Sequence, residues 1–379
     1  MRLYEYEAKK IFSENGMAVP EGGLAGNARE AREIAANTGL PAVIKSQVLV
    51  GGRGKEGGIL TAKSLDEVQR RASHLLNLEI KGLKAARVLV ERKIEVTREI
   101  YCGIAIDRAL GLPVLVLSSE GGVDIEETAK SNPEKLVRFS LSMLEDLSPF
   151  ELINPLKKIG LSGSVMLRVR DTVQRLYRVF RRFYALVAEV NPLVIDTKAD
   201  VYCVDAVLEL DDSSLYRNPE FFERRMGELS QREQRLVKRG STFVPLGGNI
   251  GLICSGAGLG MATMDLIRDY PSLSPANFLE TGGGITEDLM VDCMEIVLQQ
   301  PELKAVFINI YGGINPIHEG AKGIARVLRG RPVKIPIVAK ALGNRQEETW
   351  DILKKAGVHI VKEPSTQTAV EYLADLLGV

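Results

Sequence analysis

A chain of 379 residues exceeds what a single hydrophobic core serves, so two domains, or three, are expected and a lone small binding module is excluded. Its 45% hydrophobic and 26% charged residues are those of an ordinary globular protein, well away from the composition that keeps chains disordered. Lysine plus arginine number 49 and aspartate plus glutamate 49, and this zero net charge excludes the broad basic field that a general nucleic-acid or anionic-membrane binder needs. Any basic site must be local. Cys102, Cys203, Cys254 and Cys293 lie far apart, with no metal-ligand spacing among them, which fits free thiols in a reducing compartment. No stretch approaches the ~18 apolar residues of a membrane span. The expectation is a cytoplasmic protein with no membrane and no nucleic-acid partner.

In chain order, Tyr4, Ala8, Ile11 and Phe12 recur at helical spacing, and Gly16 and Pro20 end that helix. Asn27 with Glu30 resembles a capping box and opens a helix that runs to Gly39. A strand at 42–45, continuing to 48–50, leads into the glycine-rich 51–58, and an apolar run resumes at Ile59-Leu60, giving strand, loop, strand. Further strands are expected at 88–91, 99–106 and 114–117, the last two joined by a turn at 109–113. From Met166 to Val187 the apolar positions 166, 169, 173, 176, 177, 180, 183, 184 and 187 draw one helical face, with its arginines mostly on the solvated side. Residues 188–195 and 201–205 read as a hairpin turning near Lys198-Ala199-Asp200.

The charged stretch 219–240 marks a domain boundary, set at 237/238. Beyond it, buried-type strands at 250–254, 277–279, 305–310, 335–339 and 359–361 alternate with helical patterns, the signature of a parallel, doubly wound sheet. Such sheets bind ligands beyond the carboxyl ends of their strands.

Gly52-Arg53-Gly54-Lys55-Glu56-Gly57 matches G-x-G-x-x-G, but a strand follows where a dinucleotide fold requires a helix. A glycine loop between antiparallel strands can instead be a flap whose amides close over phosphates, with Lys45 and Arg53 supplying charge; a mobile hairpin tip with two surface cations is the alternative. Glu189, Asn191 and Asp205 stand in apolar contexts where an unpaired carboxylate is costly. Oxygen ligands on adjacent strands can share Mg²⁺, or they can form a hydrogen-bond network at the sheet edge; the flap tips the balance to the metal. In the second half, Ser255-Gly256-Ala257-Gly258-Leu259-Gly260, Thr281-Gly282-Gly283-Gly284 and Gly312-Gly313-Ile314-Asn315-Pro316 each follow a strand and open a helix, leaving free amides for an anion. Asn315 is expected as N-cap and Pro316 as the first helical residue of the third. Glycines at such turns also serve packing. His74 and His359 read as structural, His318 falls in the first helical turn after Asn315, and no Ser/His/Asp or Cys/His grouping supports acyl transfer through a chain-borne nucleophile.

Several segments together resemble the β subunits of the succinate–CoA ligase (succinyl-CoA synthetase) family over nearly the whole chain. They are Val48-Leu49-Val50-Gly51-Gly52-Arg53-Gly54-Lys55, Glu120-Gly121-Gly122-Val123-Asp124-Ile125-Glu126, Glu189-Val190-Asn191-Pro192-Leu193-Val194, Gly256-Ala257-Gly258-Leu259 and Thr281-Gly282-Gly283-Gly284. Residues 3–9 and 205–212 resemble archaeal members. The resemblance implies an α/β chain with an ATP-grasp domain, residues 1–237, followed by a flavodoxin-like doubly wound CoA-ligase domain, residues 238–379. It implies that Lys45, Gly52, Arg53, Gly54, Glu91, Ile94 and Glu99 line ATP/ADP or GTP/GDP, and that Asn191 and Asp205 bind Mg²⁺. Glu189 would hold the phosphorylated histidine of a separate α subunit, which also carries most of the CoA contacts. Ser255, Gly313, Ile314 and Asn315 would face the acid and that histidine. The implied chemistry is reversible: succinyl-CoA, phosphate and a nucleoside diphosphate give succinate, CoA and the triphosphate.

The family usually has Asn at Ser255, and Gly-Gly-Ile-Val-Arg-Cys-Asp where this chain has Gly312-Gly313-Ile314-Asn315-Pro316-Ile317-His318. Both departures fall at the acid end and leave malate– and citrate–CoA ligases open beside succinate. A dinucleotide-dependent oxidoreductase and a non-catalytic nucleotide sensor or assembly subunit are rivals from other classes.

Overall fold

The computed structural model describes residues 1–379 except Asp124 and Gly283, and the chain divides into two units, Met1–Phe222 and Glu223–Val379. The Asp124 and Gly283 positions of two resemblance motifs therefore lie outside the described residues. The division falls within the charged stretch but before 237/238. Helix Gln231–Lys238 belongs to the second unit, burying Leu236 in that unit's core and pairing Arg235 Nε with Asp292 Oδ1 at 2.7 Å. A single buried apolar residue, Leu236, among so many charges hides that allegiance in the sequence.

In the first unit a four-stranded antiparallel sheet runs in the order Gly22–Ala25, Val88–Arg92, Ala42–Ser46, Ile59–Ala62. Helices Ala28–Thr38 and Leu65–Asn77 share a core with it through Ala31, Ala35, Val68, Ala72 and Leu75, small or branched residues at helical spacing. Asn27 caps the first of these helices, its Oδ1 accepting from the backbone of Arg29 and Glu30; Glu30 reaches back to Gly26 N–H rather than to Asn27 N–H, so the capping box is shifted by one residue. Val48–Val50 do not extend the strand. The chain leaves the sheet after Ser46, and Val48 packs with Ile80 and Ala85 in a small separate cluster.

A second, six-stranded sheet is built around the long strands Val96–Asp107 and Ala185–Asp196, with Leu112–Ser118 and Leu136–Ser140 beyond the former. Val201–Cys203 and Val207–Leu210 both pair with Ala185–Asp196, and residues 204–206 form the break between them. Helices Glu5–Glu14 and Gly163–Arg182 share this sheet's core. The longer helix ends at Arg182 instead of continuing to Val187. Tyr184 takes φ of 51°, the chain reverses, and Val187 lies on a strand. Apolar residues of the new strand happen to fall on multiples of the helical spacing, which is why periodicity overran the end.

The second unit orders its strands Thr242–Pro245, Asn277–Glu280, Ile250–Cys254, Ala305–Gly312, Ile337–Gly343, His359–Val361. The last five are parallel and, numbered among themselves, run 2-1-3-4-5, the flavodoxin-like order; Thr242–Pro245 is an antiparallel edge. The fourth parallel strand begins after Pro336, later than the expected 335–339. Among the described residues no helix is long and apolar enough to cross a membrane.

Candidate functional site

Strand pairing in the first unit gathers the expected site residues. Ala42–Ser46 and Ile59–Ala62 pair with Lys45 opposite Ile59, so residues 47–58 close over the strand end as a flap. The next strand places Glu91 opposite Val43. On the second sheet Glu189 and Asn191 lie on Ala185–Asp196, and Asp205 projects from the break between its two short neighbours. Lys45, Gly52, Arg53, Gly54, Glu91, Ile94, Glu99, Glu189, Asn191 and Asp205 all line one cavity of about 1220 Å³.

Beneath the flap lies a charge cluster. Lys45 Nζ is 2.8 Å from Glu5 Oε1 and 3.1 Å from Glu91 Oε2, and it donates to the Val204 carbonyl. Arg53 Nη2 lies 2.8 Å from Glu5 Oε2 and 3.0 Å from Asp205 Oδ1, while its Nη1 donates to Ser46 O at 3.0 Å. Lys9 Nζ completes the group at 2.9 Å from Glu5 Oε1, 2.6 Å from Glu91 Oε1 and 2.7 Å from Val204 O. Lys9, Lys45 and Arg53 thus face Glu5, Glu91 and Asp205, and charge balances. Burial alone would raise the Glu5 carboxyl, but Lys45, Lys9 and Arg53 outweigh it and hold it well below the usual range. The same burial would lower Lys45, and Glu5, Glu91 and Asp205 more than reverse it.

The flap is a run of tight turns: Lys55 N–H donates to Gly52 O at 3.1 Å and Gly58 N–H to Arg53 O at 2.8 Å, with Gly52 and Gly57 at φ of 76° and 74°. Asn191 Oδ1 accepts from Gly122 N–H at 2.8 Å and its Nδ2 donates to Val123 O at 3.0 Å. Tyr101 OH donates to Glu189 Oε2 at 3.3 Å. Burial pushes the Glu189 carboxyl up; the Asn191 hydrogen bond opposes that and the Asp205 charge adds to it. Burial, then the Glu5 charge, also raises Asp205 against the pull of Arg53 and Lys45.

A magnesium ion fits this donor set. Among the described residues no three His, Cys, Asp or Glu side chains converge as a protein cage. Asp205 and Asn191 offer hard oxygens to a cavity lined by cations and carboxylates alike, and Mg²⁺ in such sites takes one or two protein oxygens plus phosphates and waters.

The second unit brings Ser255 against the strand that leads to Gly313, Ile314 and Asn315. Ser255 Oγ accepts from Tyr311 N–H at 2.8 Å and lies 3.3 Å from Tyr311 O, so its hydroxyl is engaged with backbone. The turn at 255–260 opens a helix, Ala257–Arg268, as its pattern predicts, and Gly256, at φ of 116°, is that helix's N-cap. Asn315 is not an N-cap: the helix after it starts at His318 with Ile317 at the cap. Asn344 ties the intervening loop down, donating to Gly312 O at 2.8 Å through its backbone and to Ile314 O at 2.9 Å through its side chain. Ile314 is 90% exposed. His318 is buried, with Nε2 2.8 Å from Glu319 Oε1 and 3.0 Å from Arg345 Nη1.

Sequence reasoning missed Glu5, Lys9 and Tyr101. A signal existed for the first two. Glu5, Ala8, Lys9 and Phe12 fall on one helical face, and a charged pair on the buried side of an amphipathic helix implies partners from elsewhere in the fold.

An ATP-grasp domain family matches residues 2–195 and a CoA-ligase family matches residues 253–373. The chain is 40% identical over 376 residues to the ADP-forming succinate–CoA ligase subunit beta of Methanothermobacter thermautotrophicus, covering 99% of both chains. It is 38% identical over 379 residues to the GDP-forming subunit beta of Thermus thermophilus, covering 100% and 99%. Among solved structures, an ATP citrate lyase from Methanothrix soehngenii in complex with citrate and coenzyme A superposes with a TM-score of 0.73 at 19% identity over 99% of each chain, a likeness of fold. The chain belongs to the family of succinate–CoA ligase β subunits, with an ATP-grasp domain followed by a CoA-ligase domain.

Proposed function

We propose that this chain is the nucleotide-binding subunit of a nucleoside-diphosphate-forming succinate–CoA ligase that works with a separate α subunit. In that reading succinyl-CoA, phosphate and a nucleoside diphosphate are converted reversibly to succinate, CoA and the triphosphate through a phosphohistidine on α. The observation that carries it is the convergence of Lys45, Arg53, Asn191, Asp205 and a glycine flap on one cavity large enough for a nucleotide.

Lys45 and Arg53 bind the phosphate oxygens, and the amides of Gly52–Gly54 close over them. Glu91, Ile94 and Glu99 line the rest of the nucleotide. Asn191 and Asp205 hold Mg²⁺, which when bound neutralises phosphate charge. Glu189, steadied by Tyr101, accepts a hydrogen bond from the incoming imidazole and fixes its orientation. Phosphoryl transfer asks mainly for such positioning and charge neutralisation, so the subunit needs no nucleophile of its own. Ser255, Gly313, Ile314 and Asn315 face the acid and the histidine, with CoA held mainly by α. Four buried free cysteines fit a reducing, cytoplasmic setting.

The test is co-expression with the α subunit and a hydroxamate assay over succinate, malate and citrate with ATP and GTP. Turnover with succinate, dependent on α, is expected. Robust turnover by this chain alone overturns the subunit reading, and preference for malate or citrate reassigns the acid.

A further inference from the structure

None of the proposed ligand contacts uses Glu5, yet it is 4% exposed and spans both cations assigned to the phosphates. One oxygen is 2.8 Å from Lys45 Nζ and the other 2.8 Å from Arg53 Nη2. Two acceptors on one planar anion, aimed at an ammonium and a guanidinium, offer those donors what two phosphate oxygens offer. Glu5 lines the cavity; Lys9 does not. Lys9 stands behind the wall, 2.9 Å from Glu5 Oε1 and 2.6 Å from Glu91 Oε1, where a ligand does not reach it.

We propose that Glu5 is a built-in competitor for phosphate. Its carboxylate holds the donors of Lys45 and Arg53 until a polyphosphate displaces it, and Lys9 is the positioning residue that retains Glu5 when that happens. This rests on the reading of Lys45 and Arg53 as phosphate ligands. Without Glu5 two buried cations would stand poorly compensated, and without Lys9 the displaced carboxylate would be the uncompensated group. Arg53 Nη2 is also shared with Asp205 Oδ1, so the same exchange releases Asp205 toward the metal. A small anion such as inorganic phosphate must break the Glu5 contacts with few of its own. A triphosphate brings more oxygens to the exchange, so the device selects for polyphosphate.

The two charges of one ion pair should therefore act on affinity with opposite signs, which a purely structural pair would not do. Calorimetry on the αβ heteromer, with ATP in chelator and with inorganic phosphate as separate titrants, compares wild type with Glu5→Gln, Lys9→Met and the double variant. Glu5→Gln is expected to bind both anions roughly tenfold more tightly, the low end of what one lost competing contact to a charged group is worth. Lys9→Met leaves the cluster with excess negative charge and is expected to bind roughly tenfold more weakly. The double variant should return to within about threefold of wild type, and Lys9→Arg should restore wild-type affinity. Two single variants that both weaken binding, in step with a lower Tm, overturn the proposal. Should Glu5→Gln fail to fold, Glu5→Asp, one methylene shorter and drawn back from Arg53, must tighten binding in its place, and weaker binding there overturns the proposal equally. A wild-type heteromer that takes up no nucleotide sinks the phosphate-site reading itself; one that does, with no gain in either Glu5 variant, sinks only the competitor.

Discussion

Replacing Lys45 by methionine removes one ammonium and keeps most of the aliphatic stem. Lys45 is 6% exposed, and its charge faces Glu5 and Glu91, themselves 4% and 3% exposed, at 2.8 and 3.1 Å. Three carboxylates would then share two cations. Removing one member of a buried ion pair typically costs about 3–5 kcal/mol. Lys9 and Arg53 still hold the two carboxylates, so the lower end, about 3 kcal/mol, is expected. Neutralising Glu91 as well restores the balance, and Lys45→Met/Glu91→Gln should recover roughly half of that loss, a coupling a double-mutant cycle measures. Nucleotide affinity should fall in both variants by one charged contact, about 1.5–3 kcal/mol or roughly 10- to 150-fold. Thermal and urea unfolding followed by circular dichroism give the first quantity and calorimetry the second. A loss of stability under about 1 kcal/mol together with unchanged nucleotide affinity would refute the reasoning, because it would mean that the Lys45 charge neither holds the cluster nor meets phosphate.

Three further outcomes are expected. Burial raises the Glu189 carboxyl, so the acid limb of phosphoryl transfer in the heteromer should lie above the ordinary glutamate range; Tyr101→Phe, which deletes a hydrogen bond that favours the ionised form, should move the limb higher still, and an unmoved limb counts against Glu189. All four thiols are buried, with Cys203 and Cys254 pushed up to about 12, so the native protein should leave Ellman's reagent nearly untouched and titrate fully only after denaturation. Gly323→Ala would set a methyl 2.1 Å from the Glu287 carbonyl and should destabilise the second unit by about 1–3 kcal/mol, whereas Gly330→Ala, with nothing within 4 Å of the new methyl, should be neutral or slightly stabilising; equal melting temperatures for the two would contradict the packing.

Whatever depends on near neighbours in the chain could be read from the residues alone. The Asn27 cap, the glycine turn at Gly256, the strand–flap–strand order around Arg53 and the alternation of strands and helices after residue 250 are local patterns, and each forms. Local reasoning erred where a longer-range choice intervened: at Tyr184, where the chain turns into a strand that completes a sheet, and at Asn315, where contacts from Asn344 hold the loop and delay the helix to His318. The candidate site shows the same division. Lys45, Arg53, Asn191 and Asp205 announce themselves as polar groups in apolar or glycine-rich surroundings. What they do to one another is decided by strands and a helix that bring residues 5, 9, 45, 53, 91 and 205 within ion-pair distance. A sequence records the charge of each group, whereas the energy of a charge depends on its distance to the others and on the water excluded between them, and both quantities come into being only when the chain has folded.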